Sequence, residues 1–214
     1  SEFSVAKLSE NFEKIDRSIH LPKLLDRFEQ NQKFYLVREY IEGKTLKQQL
    51  KQQYRLSNTK VIFLLRDVLE TLDSAHKIGI IHQNIRPSNL IVRDSDSKVV
   101  LIDFGMVSEV IGNLGKIIYP ETKAYIPPEQ MAGRANFSSD IYALGLTGIE
   151  ALTGVNPQQL KRTETEEITW LSEWEIDSKL AKILDRMVSL NLGKREREAR
   201  KLLEDLKAIE NSSN

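Results

Sequence analysis

The chain has 214 residues, with 31 Lys and Arg against 31 Asp and Glu, 40% hydrophobic residues, ten glycines and no cysteine. That length holds one substantial domain with or without a small appendage, and zero net charge argues against a nucleic-acid partner held by bulk attraction, which needs a basic face. Absence of cysteine excludes disulfides, thiolate nucleophiles and thiolate-held zinc, and it fits a reducing compartment. Any metal must then be held by oxygen ligands or by one of three histidines. No apolar run approaches the ~20 residues of a membrane span, and residues 1–20 lack the basic-then-apolar plan of a leader peptide. The chain therefore reads as soluble, with no membrane partner. Gly43 is the first glycine.

Residues 4–19 carry Val5, Leu8, Phe12, Ile15 and Ile19 at three- and four-residue steps, which predicts a helix ended by Pro22. Residues 24–28 and 34–41 read as strands of a hairpin joined by the polar stretch from Glu29 to Lys33. A short helix is expected over 46–53. A long one follows, capped by Ser57 or Asn58, with Val61, Ile62, Leu64, Leu65, Val68, Leu69, Leu72 and Ala75 on its apolar face and its end at Gly79. Residues 90–92 and 99–102 suggest a second hairpin around the turn cluster Arg93 to Lys98. Residues 105–128 show no sustained period and read as a long irregular loop, a length that is usually functional. Helices are expected again over 139–153, 178–190 and 195–209, before a polar tail at 210–214. The fold class is α+β and mostly helical.

The chemistry-bearing residues stand between the long helix and the irregular loop. His82-Gln83-Asn84-Ile85-Arg86-Pro87-Ser88-Asn89 comes first, then Asp103-Phe104-Gly105, then Pro127-Pro128-Glu129. Asn89 and Asp103 flank a predicted hairpin and offer oxygens of the kind that hold a hard cation beside a phosphate chain. Each motif alone is weak, since an isolated Asn or Asp is usually a turn former. Their joint order and spacing carry the signal.

In these residues the chain resembles the eukaryotic-like Ser/Thr protein kinase family, in particular its bacterial, cyanobacterial-type members, over nearly its whole length. His82 to Asn89 is similar to the catalytic loop H-R-D-x-K-P-x-N, Asp103-Phe104-Gly105 to D-F-G, and Pro127-Pro128-Glu129 to A-P-E. The resemblance implies a hinge at Glu39 to Gly43, with Glu39 and Ile41 at the nucleotide. It implies cation ligation by Asn89 and Asp103, and Thr122 in the substrate-facing loop. It also implies three structural roles. Asp140 binds the catalytic-loop backbone, Glu129 and Arg195 form a buried ion pair, and His82 packs against Phe104.

The departures matter as much. Asn84 stands where the family has the aspartate that accepts or orients the substrate hydroxyl proton, and a carboxamide has almost no basicity. Gln83 replaces the arginine that pairs with a phosphorylated loop. Arg86 replaces the lysine that touches the transferred phosphate, keeping the charge but not the point geometry. Neither a Gly-rich loop nor a strand lysine precedes Gly43. The resemblance thus implies a degenerate member, a pseudokinase. Residues 1–41 would be a remnant N-lobe of one helix and a β-hairpin with the hinge, residues 42–209 a kinase-like C-lobe, and 210–214 a tail. The cofactor is ATP with Mg, held weakly or not at all. The alternative is an active Ser/Thr kinase whose missing strands are trimmed from this chain or supplied by a partner. Uncovered Phe34, Leu36 and Val37 suggest a protein partner or self-association, and the expected location is the cytoplasm.

Plainer readings stand beside these. Asn89 and Asp103 can equally be relics held by backbone hydrogen bonds. His20 and His76 are expected to have no role, and Trp170 and Trp174, four apart, to lie on one helix packed into the core.

Overall fold

A computed structural model describes residues 21–31, 33–103, 120–170 and 174–211. The expected helix over 4–19, Phe104 and His20 lie outside these residues. Among those described, the chain is α+β and mostly helical, with two small sheets and a two-residue ribbon beside the helices.

Strands β1 (Leu24–Gln30) and β2 (Lys33–Arg38) form an antiparallel hairpin with Phe28 opposite Tyr35 and a bulge between Leu24 and Asp26. The second sheet differs from expectation. Residues 90–93 and 99–101 do pair, as β4 (Leu90–Arg93) and β5 (Val99–Leu101), but a third strand, β3 (Gly43–Thr45), joins the outer edge of β4. Three residues carry no visible period, so this strand is silent in the sequence. It depends on glycine, because a Cβ at Gly43 would lie 2.2 Å from the Val92 carbonyl oxygen.

Helix α1 (Leu46–Gln53) starts at a capping box in which Thr45 accepts from the Gln48 amide and the Gln48 side chain accepts from the Thr45 N–H. Helix α2 (Asn58–Lys77) is capped by Ser57, whose hydroxyl accepts the Lys60 N–H. Its stripe Val61, Leu64, Leu65, Val68, Leu69 and Leu72 is essentially fully buried, each side chain contributing about 1.5–3 kcal/mol of burial. Between the catalytic-type loop and the last helices lie two single-turn helices, α3 (Pro120–Lys123) and α4 (Pro128–Met131), which break up part of the expected irregular stretch.

Helix α5 (Phe137–Thr153) is the centre of the molecule and is buried along almost its entire length. It packs on α2 and on α6 (Ser178–Val188), while α7 (Ala199–Asn211) closes over α2. Close packing of α5 on α6 depends on missing side chains, since a Cβ at Gly145 would lie 2.8 Å from both Met187 Cβ and Val188 Cγ1.

Several boundaries move, most of all at the last helix. The last helix begins at Ala199, not 195, because Arg195 is held in the preceding loop. It also runs to Asn211, through the expected tail boundary at 210, because Glu210 accepts from Arg66 Nη1 at 3.1 Å. The tryptophan expectation fails in its helix, whereas the core packing holds for Trp170. Trp170 follows the ribbon β6 (Lys161–Arg162) and β7 (Ile168–Thr169) and buries its ring while its Nε1 donates to Asp185. Trp174 sits in a bend under Arg55 at 5.4 Å. Neither occupies a helix, and the partner of the Trp170 indole N–H, Asp185, is on α6.

Gly145→Ala is expected to lower stability by about 1–3 kcal/mol by forcing α5 and α6 apart. Urea unfolding followed by circular dichroism measures it, and an unchanged midpoint contradicts the close contact.

Candidate functional site

The site is built on one buried carboxylate. Asp140, in the first turn of α5, is fully buried. Its Oδ1 accepts the Gln83 N–H at 2.7 Å and its Oδ2 accepts the His82 N–H at 2.8 Å. These two bonds set the entry of the loop 82–89, and Gln83 adopts φ +64° there, a strained left-handed conformation for a residue with a side chain. A third donor was not expected. His76, assigned no role from sequence, bonds Asp140 Oδ2 through Nε2 at 3.0 Å and stacks on Phe137. Its position four residues after Leu72, on the buried stripe of α2, was the signal available for it. Gln130 of α4 adds a bond from its Nε2 to the Gln83 carbonyl at 2.7 Å.

His82 is a junction rather than an exposed acid or base. Its Nε2 bonds the Ile102 carbonyl at 3.1 Å and its Nδ1 faces the Asn84 N–H at 3.2 Å. A carbonyl requires Nε2 to donate and an amide N–H requires Nδ1 to accept, so the neutral Nε2–H tautomer satisfies both. Burial is the dominant influence and lowers the imidazole pKa below its ordinary value; the Asp140 charge opposes it without overcoming it.

Asn84 is 8% exposed and held by its backbone at both ends, its N–H on His82 and its carbonyl accepting Asn89 Nδ2 at 2.8 Å. Its side-chain Nδ2 donates to Asp103 Oδ2 at 3.0 Å. A carboxylate only accepts, which fixes which end of the amide faces it. The other end, Asn84 Oδ1, is buried without a hydrogen-bond partner. Asp103 stands at φ +65° just after β5, and Asn89 is tied to the same edge by its carbonyl, which accepts the Ile102 N–H at 2.9 Å. Asn84, Asn89 and Asp103 are thereby brought together.

For a divalent cation the donor set is thin. One Asp103 oxygen is already engaged by Asn84, and the Asn89 amide nitrogen is turned to the Asn84 carbonyl, leaving its Oδ1 as a neutral donor. Among the described residues no group of three or more His, Cys, Asp or Glu is placed to hold a metal ion. One partly engaged carboxylate and one carboxamide do not fit a resident hard cation, which takes six or more oxygens and usually more than one charge.

The remaining sequence candidates fall around this centre. Arg195 is buried and reaches Glu129 Oε1 at 2.5 Å; it also donates through Nε to the Ser189 carbonyl at 2.7 Å and lies 4.7 Å over the Tyr142 ring. Thr122 is buried, and its carbonyl accepts the Tyr125 N–H at 3.0 Å. The Tyr125 hydroxyl in turn donates to Glu150, which the sequence did not single out. Burial raises the Glu150 pKa against the opposing Tyr125 hydrogen bond and Lys47 charge, and burial with the Glu150 charge raises that of Tyr125. A small pocket of about 80 Å³ lies there, with Arg86 and Ser88 in its wall. Glu39 turns its carboxylate to the Lys23 N–H at 3.3 Å, and Ile41 is buried.

Protonation of His82 would break its Nδ1 contact with Asn84, and burial resists that protonation in the folded chain relative to the ordinary value of about 6.5 that the unfolded chain keeps. The folded pKa is depressed, so the unfolded chain binds the extra proton and this contribution is present above about pH 6.5 and lost as pH falls below it. The decline in melting temperature from pH 7.5 to 5.5 is expected to be smaller in His82→Asn than in the wild type. Equal slopes contradict the assignment.

Comparison with known proteins places this geometry. The protein kinase domain family matches residues 10–212. Serine/threonine-protein kinase PknA of Nostoc sp. is 42% identical over 195 residues, covering 87% of this chain and 35% of the relative. Serine/threonine-protein kinase B of Synechocystis sp. is 36% identical over 200 residues, 87% of this chain and 34% of the relative. Serine/threonine-protein kinase C of the same organism is 42% identical over 177 residues, 78% and 33% respectively. The chain spans about a third of the length of these relatives. No helix among the described residues is long and apolar enough to cross a membrane.

Proposed function

The chain belongs to the protein kinase domain family, and from that premise we propose that it is a pseudokinase, a binding or regulatory module of kinase fold with absent or grossly weakened phosphotransfer. The observation that carries the reading is Asn84 at the position of the catalytic base. A carboxamide cannot take the proton of an attacking hydroxyl, and one N–H of its amide is engaged by Asp103. Gln83 and Arg86 add to the loss, since the first gives no fork for a phosphorylated loop and the second changes the phosphate contact. ATP with Mg, the family's cofactor, would be met by Asn89 and Asp103 near the hinge residues Glu39 and Ile41, and is held weakly or not at all. When bound, such a cation offsets negative charge on the transferred group.

In this reading residues 1–41 belong to the N-lobe with its hinge and 42–209 are the C-lobe, and the β1–β2 hairpin is the partner surface. Leu25, Phe28, Tyr35, Leu36 and Val37 are exposed on the β1–β2 hairpin, whereas the Phe34 side chain lies outside the described residues. An isolated two-stranded hairpin is marginal and its open edges invite pairing, so a protein partner or a second copy is expected to cover it. Light scattering at high concentration should give a mass above that of the monomer, and a strictly monomeric mass counts against self-association.

A second reading is an active Ser/Thr protein kinase whose further N-lobe strands are trimmed from this chain or supplied by a partner. The intact frame favours it, since Asp140 still holds the loop and Arg195 still reaches Glu129, and the relatives bear the name of Ser/Thr kinases. Transfer of radiolabel from ATP to generic substrates in Mg or Mn separates the two. The chain is expected to show none above background, while Asn84→Asp in a form with a complete N-lobe should gain about 10²–10⁴-fold. Robust turnover by the unaltered chain overturns the pseudokinase reading.

A further inference from the structure

We propose that Asn84 is a neutral tether that weakens the hold of Asp103 on a divalent cation. The inference deepens the pseudokinase reading and rests on it for the change of residue 84 from a base to a carboxamide. Three observations carry it.

First, the Asn84 amide occupies Asp103 Oδ2 at 3.0 Å, and a hydrogen bond to a charged acceptor is stronger than one between neutral groups. A cation binding that oxygen must share it with the amide, and the positive end of the buried N–H₂ group would then face a double positive charge at close range. Second, Asn84 cannot swing away easily. Its N–H and carbonyl are both engaged, by His82 and by Asn89, and the residue is almost wholly buried. Third, the reversed orientation of the amide, which would turn an oxygen to the cation, puts Oδ1 against Asp103 Oδ2. Two acceptors would then meet with no proton between them. The orientation seen leaves Oδ1 buried and unpartnered instead, an arrangement that costs free energy and persists because the bond to Asp103 compensates for it.

What remains for a cation is Asp103 Oδ1 and the neutral Asn89 Oδ1, a set that becomes adequate only when phosphate and water oxygens complete the shell. An aspartate at position 84 would reverse this. Two carboxylates at hydrogen-bond distance repel, and a divalent cation between them relieves the repulsion.

The test uses Mn²⁺ alone, titrated into the full chain and read by the electron paramagnetic resonance of free Mn²⁺, with melting temperature as a second readout. Relative to wild type, Asn84→Ala should bind Mn²⁺ about tenfold more tightly, because it frees Oδ2 without adding charge. Asn84→Asp should bind about a hundredfold more tightly, and Asp103→Asn combined with either should abolish the gain. The Ala variant keeps both backbone bonds of residue 84, so the loop retains its supports. Wild type binding Mn²⁺ as tightly as Asn84→Ala overturns the tether, as does a gain in Asn84→Asp with none in Asn84→Ala, which would reduce the effect to charge alone. The readout is binding of the metal and not phosphotransfer, so an active enzyme with a working tether and a silent one without it give different pairs of results.

Discussion

Everything in the site depends on the Asp140 carboxylate being buried and fully used. It is removed from water in the first turn of the central helix, where the positive end of the helix dipole favours negative charge. Three nitrogen donors converge on it, two of them backbone N–H groups of the loop 82–89. Burial of an unpaired carboxylate would cost several kcal/mol, so the loop and the helix stabilise each other or neither is stable. His76 couples the long helix α2 to the same point. The loop is therefore referenced to the core and not to the small hairpin.

Because residues 83 and 84 are held by their backbone groups, with the His82 and Asn89 side chains among the partners, the loop's shape depends little on the side chains at 83 and 84 themselves. Gln83 is held by its N–H and its carbonyl, and Asn84 by its N–H and its carbonyl. Side chains at 83 and 84 are consequently free to change chemistry while the frame persists. Such a separation explains how a chain can keep the architecture of a phosphotransferase around a residue unable to act as a base. Glu129 and Arg195 make the same point at the other end, where a buried pair bolted to Ser189 and Tyr142 fixes the turn before α5 without touching the chemistry.

Where the molecule is less constrained, its surface changes character. The β1–β2 hairpin shares no ladder with β3–β4–β5, and its aromatic and aliphatic side chains are exposed. The helical part, by contrast, buries its apolar stripes completely and uses Gly145 to bring two helices into contact.

Much was legible in the one-dimensional pattern. The apolar period of α2, the cap at Ser57, the aromatic and aliphatic run of β2 and the paired valines of β5 are local signals, and local physics suffices for them. The order of the motifs at 82–89, 103–105 and 127–129 was enough to identify the family and to single out Asn84 as the departure. Features made by convergence were not legible. β3 is three residues long and exists only because β4 offers an edge, and Trp170 leaves its expected helix to reach Asp185. His76 looked idle because its partner lies sixty-four residues away. Sequence alone determined which chemical groups the chain possesses and that residue 84 lacks basicity. Only the tertiary structure decided that its amide would be used to engage Asp103, because hydrogen-bond direction and burial are properties of groups brought together and not of residues in a row.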